Sequence, residues 1–240
     1  MFAHPNLEAD FKARSESLQL SRVVPSMIDS TILKSDFRLD DLRSLAVEAI
    51  DKGFRAVCIP PSAVPVVSPY LRGSTVQCCT VVGFPLGFQT TSVKCFEAAE
   101  AIKQGATEID FVQNLQFAKS HHVDQWLAEM RQIVEVCGDS LVKVILETSL
   151  LTPEEIINSV KIAYEAGVHV IKTSTGFGAR GASIQDISLI ASTLADLESK
   201  SQRRLGIKAS GGIRDAKFAM SLIEAGATRI GTSCGSAILH

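Results

Sequence analysis

Charged side chains stand where this sequence otherwise builds apolar strands. Asp110 ends EID (108–110), Lys143 sits in LVKVIL (141–146), Lys172 closes VHVIK (168–172) and Lys208 sits in LGIKA (205–209). Glu147 follows LVKVIL, and Asp29 follows VPSMI (24–28). Any one of these could face solvent or join a buried ion pair. The set points elsewhere. Side chains alternate faces along a strand, so an inward Lys172 shares its face with Val170, and an inward Lys208 with Gly206 and Ser210. The two lysines then meet at one height on neighbouring strands. Repulsion between them and loss of water both lower the pKa of one. A neutral lysine is a nucleophile towards a carbonyl. Asp110 is the natural proton carrier for forming and collapsing the resulting adduct. Lys143 is expected as an ion-pair partner that tunes Asp110 and Lys208.

Glycine-rich stretches follow the last strand-like runs: TGFGARG (175–181), SGGIRD (210–215) and GTSCGS (231–236). GFGARG matches G-x-G-x-x-G, but it follows the sixth strand candidate rather than the first turn of a dinucleotide-binding unit. That reading is rejected. Phosphate fits better, held by backbone N–H groups of loops after the last strands. Gly176, Gly211, Gly212 and Ser233 are the candidate phosphate ligands, Ser233 at the start of an expected short final helix.

The elements that must position these residues repeat along the chain. AIDKGFRAVCI (49–59), AIKQGATEIDF (101–111), AYEAGVHVIKT (163–173) and LIEAGATRIGT (222–232) each end a helix at a glycine and then enter a strand. Gly53, Gly105, Gly167 and Gly226 are separated by 52, 62 and 59 residues. A βα unit of an eight-fold barrel takes roughly 30 residues, so each step spans two units. Strands are predicted at 24–28, 55–59, 77–82, 108–112, 141–146, 168–172, 205–209 and 228–231. Helices are predicted at roughly 40–52, 62–71, 91–104, 122–137, 153–166, 184–199 and 215–225. Thr152-Pro153-Glu154-Glu155 supplies a cap, a proline and first-turn acids. Strict alternation means parallel strands, and eight of them predict an α/β fold, a single (β/α)8 TIM barrel. The polar start, residues 1–22, is expected to form a short N-terminal helical extension of one 1–240 domain.

Composition narrows the class. The 240 residues are 46% hydrophobic, and the formal net charge is −2. That balance gives no electrostatic case for nucleic acid or an anionic membrane as partner. No apolar run approaches the ~18–20 residues of a membrane span, and the start lacks a secretory layout. The six cysteines form no CxxC pair, so small buried thiols in a reducing cytoplasm are expected. His121-His122 has no clustered ligand partner and reads as a surface pair. No metal site is expected.

KTSTGF (172–177), KASGGIR (208–214), RIGTS (229–233), VVGFPLG (81–87) and KVILET (143–148) resemble the motifs of the deoxyribose-phosphate aldolase family. EID (108–110) and VCIPP (57–61) fall in register, and the resemblance spans about residues 23–237. It implies a class I aldolase, without metal or other cofactor, that splits 2-deoxy-D-ribose 5-phosphate into D-glyceraldehyde 3-phosphate and acetaldehyde. By position, Lys172 matches the Schiff-base lysine, Lys208 the lysine that perturbs it, Asp110 the proton-relay aspartate and Lys143 the further active-site lysine. Gly176, Gly211, Gly212 and Ser233 match phosphate-binding positions. Thr31 and Cys58 complete the expected substrate-binding set, Cys58 also being the thiol suspected in sensitivity to acetaldehyde. Partners are thus a phosphorylated sugar and an aldehyde, with a homo-oligomer, a dimer first, as the expected assembly.

The chain departs from the family pattern in places. IDST replaces IDHT, placing Ser30 where a histidine is common, and QNLQ replaces INIG, bringing Gln113 and Gln116. TSCG places Cys234 where a serine is common, and no tyrosine-bearing tail precedes His240. Slower protonation of the enamine is expected from that last difference. Two other readings stand beside the first: a Schiff-base aldolase for a different phosphorylated sugar, and a phosphate-binding barrel without catalysis.

Overall fold

The computed structural model describes residues 4–201 and 203–239. Residues 1–3 of the expected extension, Gln202 and His240 lie outside them. The strands are β1 (Ile28–Thr31), β2 (Ala56–Ile59), β3 (Gln77–Val82), β4 (Glu108–Val112), β5 (Leu141–Ile145), β6 (Val170–Lys172), β7 (Gly206–Ser210) and β8 (Arg229–Thr232). They pair in chain order, all parallel, and β8 closes on β1. The helices are α1 (Pro5–Leu20), α2 (Leu39–Lys52), α3 (Val64–Leu71), α4 (Thr91–Lys103), α5 (Leu115–Lys119), α6 (Val123–Cys137), α7 (Pro153–Ala166), α8 (Ile184–Glu198) and α9 (Ala216–Ala225). This is the (β/α)8 barrel expected.

Most predicted bounds hold within two residues, and the repeat has a physical basis. Gly53, Gly105, Gly167 and Gly226 all have positive φ, from +71° to +130°, the conformation that stops a helix and redirects the chain into a strand. Thr152 caps α7 by accepting from Glu155 N–H at 3.2 Å, while Glu155 accepts from Thr152 N–H at 2.7 Å. Two expectations are corrected. VPSMI is not the first strand: Pro25–Met27 form a 3₁₀ turn, and β1 begins at Ile28. Proline fixes φ and lacks the N–H that a central strand needs. The final helix does not open at Ser233. A 3₁₀ turn runs from Ser236 to Leu239 instead.

Helix α1 closes the end of the barrel where the strands begin. It buries Leu7, Asp10, Ala13 and Ser17, three to four residues apart on one face. Leu7 packs with Leu141 and Val170, the first residues of β5 and β6. Gly206, first in β7, makes room for it, since a Cβ there would lie 3.2 Å from Leu7 Cδ2. The interior is therefore filled from below, and chemistry is confined to the strands' C-terminal end.

Candidate active site

Strand register brings the candidate residues together. Lys172 pairs with Lys208 across β6 and β7, and Asp110 with Lys143 across β4 and β5. All four side chains point inward, and none is more than 2% exposed. Asp110 is the hub. Its Oδ1 accepts from Lys143 Nζ at 2.7 Å and from Cys79 Sγ at 3.1 Å. Its Oδ2 accepts from Lys172 Nζ at 2.8 Å and from Lys208 Nζ at 2.9 Å. Gly231 of β8 leaves the space for Lys208, because a Cβ there would sit 2.9 Å from Lys208 Cε.

Of the three lysines on Asp110, all but Lys172 have a second carboxylate. Lys208 Nζ lies 2.5 Å from Asp29 Oδ2, and Lys143 Nζ lies 2.6 Å from Glu108 Oε2. Arg229 ties these carboxylates together, at 2.6 and 3.0 Å from Glu108 and 3.2 Å from Asp29. Its Nε donates to Asp10 of α1 at 2.9 Å, and Asp10 also pairs with Arg55 at 3.0 Å. One ionic network thus runs from Lys172 to the barrel floor. Lys143 pairs with Asp110 and Glu108, and it shares Asp110 with Lys208.

The charges hold each other ionised. Burial alone would raise the Asp110 carboxyl, but Lys143, Lys172 and Lys208 together keep it well below the usual range. Burial opposes the charge on Lys208 as well, yet Asp110 and Asp29 push its ammonium well above the ordinary lysine value. Lys143 is raised in the same way against burial by Asp110, Cys79 and Glu108. Hydrogen bonding from Cys79 draws the Cys58 thiol down to about 7, against burial and with help from Lys208 and Lys172. Cys58 and Cys79 are buried as expected, and Cys79 in addition donates to Asp110. Among the described residues, Cys58–Cys79–Asp110 and Asp29–Cys79–Glu108 lie close enough to share a metal ion. Their carboxylates already face lysine or arginine groups, which a divalent cation would have to displace.

Above the network opens a cavity of about 650 Å³. Lys172 and Lys208 form its base. Gly176, Gly211, Gly212, Ser233 and Thr31 line it, as the sequence reading required. The loops after β6 and β7 touch through glycines: a Cβ on Gly181 would lie 2.0 Å from Gly211 O. Gly176, Gly211 and Gly212 have φ of +87°, +88° and +76°, so side chains there would be strained. Asp110 and Lys143 lie beneath the lining. Cys58 is also beneath it, fully buried beside Ala56, Cys79 and Val81. Sequence reasoning did not single out Lys34 and Arg214, the cations at the cavity mouth, although KASGGIR contains the second. It also passed over Glu108, Arg229 and Asp10, whose pairing joins distant parts of the chain.

Known proteins point the same way. Residues 23–240 match the family model described as "DeoC/LacD family aldolase". Deoxyribose-phosphate aldolase from Mannheimia succiniciproducens is 46% identical over 212 residues, 88% of this chain and 92% of the relative. The Streptococcus pneumoniae enzyme of that name is 46% identical over 88% of this chain and 93% of its own. Among solved structures, the aldolase QR15 has a TM-score of 0.83 at 41% identity, covering 90% of this chain and 94% of that one. The tetrameric deoxyribose phosphate aldolase from Aeropyrum pernix has a TM-score of 0.84 at 32% identity, covering 98% and 97%. With the lysine–aspartate cluster at the head of a (β/α)8 barrel, the chain belongs to the DeoC/LacD family of aldolases.

Proposed function

We propose that this protein is a class I aldolase that reversibly cleaves 2-deoxy-D-ribose 5-phosphate to D-glyceraldehyde 3-phosphate and acetaldehyde. The observation that carries this reading is the convergence of Lys172, Lys208 and Asp110 beneath a cavity walled by the glycine loops after β6 and β7. The open-chain sugar lies with its phosphate on Gly176, Gly211, Gly212 and Ser233 and its aldehyde over Lys172.

Attack of the Lys172 amine on C1 gives a carbinolamine. Asp110, 2.8 Å from Lys172 Nζ, first takes the proton that Lys172 sheds to become the attacking amine and passes it to the new alkoxide; it then takes a second proton from the nitrogen and gives it to the departing hydroxyl, so water leaves and an iminium forms. The iminium draws the C2–C3 bonding electrons as the C3 hydroxyl loses its proton, which releases glyceraldehyde 3-phosphate. The remaining enamine is protonated at C2, and hydrolysis frees acetaldehyde and restores Lys172. Lys208 stays cationic beside the reacting centre, where it favours the ionised form of Asp110 and opposes further positive charge.

The six free thiols fit a reducing, cytoplasmic setting. No helix among the described residues is long and apolar enough to cross a membrane. A homo-oligomer, a dimer first, is the proposed assembly. The substrate is tested by incubating glyceraldehyde 3-phosphate with acetaldehyde or with dihydroxyacetone phosphate. Formation of deoxyribose 5-phosphate from acetaldehyde alone is expected. Product only with dihydroxyacetone phosphate would assign a different sugar within the same chemistry.

A further inference from the structure

The loop after β6 carries Gly176 into the cavity, but the residue that shapes this loop stands at the end of β5. Glu147 has φ +55° and ψ +63°, a left-handed conformation uncommon for side chains of its kind. It is 3% exposed. Its Oε2 accepts the Thr175 N–H at 3.2 Å and also the Thr175 hydroxyl. Its Oε1 accepts the Ser149 hydroxyl at 3.2 Å. Thr175 Oγ1 accepts the Phe177 N–H at 3.1 Å. The single hydroxyl proton of Thr175 is committed to Glu147, so towards the cavity this oxygen can only accept. The packing is close: a Cβ on Gly178 would lie 2.9 Å from both Glu147 Oε1 and Ser149 Oγ. Residues 175–178 are thus folded around one carboxylate, with cavity-lining Gly176 in their midst. A strained backbone persists where its surroundings over-determine it.

We propose that Glu147 is a positioning residue that sets the 175–178 loop so that Gly176 meets the substrate phosphate. It acts through Thr175 and does not touch the sugar. Donors from the loop and from Ser149 occupy both its oxygens. The inference rests on the phosphate reading of the cavity given above.

Two variants perturb this clamp independently. Glu147→Gln keeps the shape and removes the charge. Gly178→Ala lies on an exposed stretch and pushes the carboxylate aside, so it does not threaten the core. Kinetics on 2-deoxyribose 5-phosphate and unphosphorylated 2-deoxyribose are compared, together with inhibition by inorganic phosphate. Both variants are expected to raise KM for the phosphorylated sugar and weaken phosphate inhibition by about tenfold, the scale of one lost hydrogen bond. On the unphosphorylated sugar, kcat/KM is expected to change by no more than about twofold. Equal losses on both sugars, or unchanged phosphate affinity in both folded variants, would overturn the proposal. A wild-type protein that neither prefers the phosphorylated sugar nor responds to phosphate would overturn the phosphate reading itself, and this inference with it.

Discussion

Four donors converge on the Asp110 carboxylate, three of them lysines. Such a carboxylate is ionised at rest, so it begins each turnover as a base and holds a proton only in passing. Asp110→Asn removes that step while keeping the shape. It is expected to lower kcat by about 10²- to 10⁴-fold, the usual contribution of a positioned acid–base group, with Lys172 still in place. The same residue governs acid stability. Asp110 is lowered in the folded state, so its contribution is complete above the ordinary carboxylate range and is lost as pH falls through the folded value. Lys208 is raised, so its contribution is complete below the ordinary lysine value and is lost only as pH rises through the folded one. The melting temperature of wild type should therefore exceed that of Asp110→Asn from about pH 5 upward, with the gap narrowing below about pH 4. A gap that is constant through the acid range contradicts this assignment.

At the scale of elements, the glycine loops decide how the cavity closes. Gly181 and Gly211 bring the loops after β6 and β7 into backbone contact, and no side chain fits between them. Gly181→Ala is expected to part the loops and raise KM for the phosphorylated sugar by about tenfold or more, with the barrel's circular dichroism unchanged. An unaltered KM would mean that the contact does not shape the site. These elements were legible in the sequence because strand alternation and helix-ending glycines are local signals. Lys172 and Lys208 could be placed side by side from their positions in VHVIK and LGIKA alone. What was misread was local competition: VPSMI is apolar enough for a strand, but Pro25 turns it. Cys79 looked like a packing thiol because its bond to Asp110 spans 31 residues, and no local pattern encodes that.

For the whole molecule, the ionic network links the reaction centre to α1, beyond the reach of sequence periodicity. Asp10 and Arg229 are 219 residues apart and meet only because α1 plugs the barrel floor. Leu7→Ala should cost about 2–5 kcal/mol through the cavity it leaves. Asp10→Ala should cost about 3–5 kcal/mol by leaving Arg229 and Arg55 short of a partner. Urea unfolding measures both, and a loss under about 1 kcal/mol in each would show that the plug is not part of the fold's cooperative core. The central claim is that the barrel is built to present Lys172 as an amine to an aldehyde, and borohydride trapping tests it most directly. The protein is incubated with acetaldehyde, reduced, digested and mapped by mass spectrometry. The account requires one ethyl group on the peptide that holds Lys172, absent in Lys172→Ala and still formed in the presence of a chelator. Folded wild-type protein with no adduct at Lys172 would contradict the Schiff-base mechanism and leave a phosphate-binding barrel as the better account.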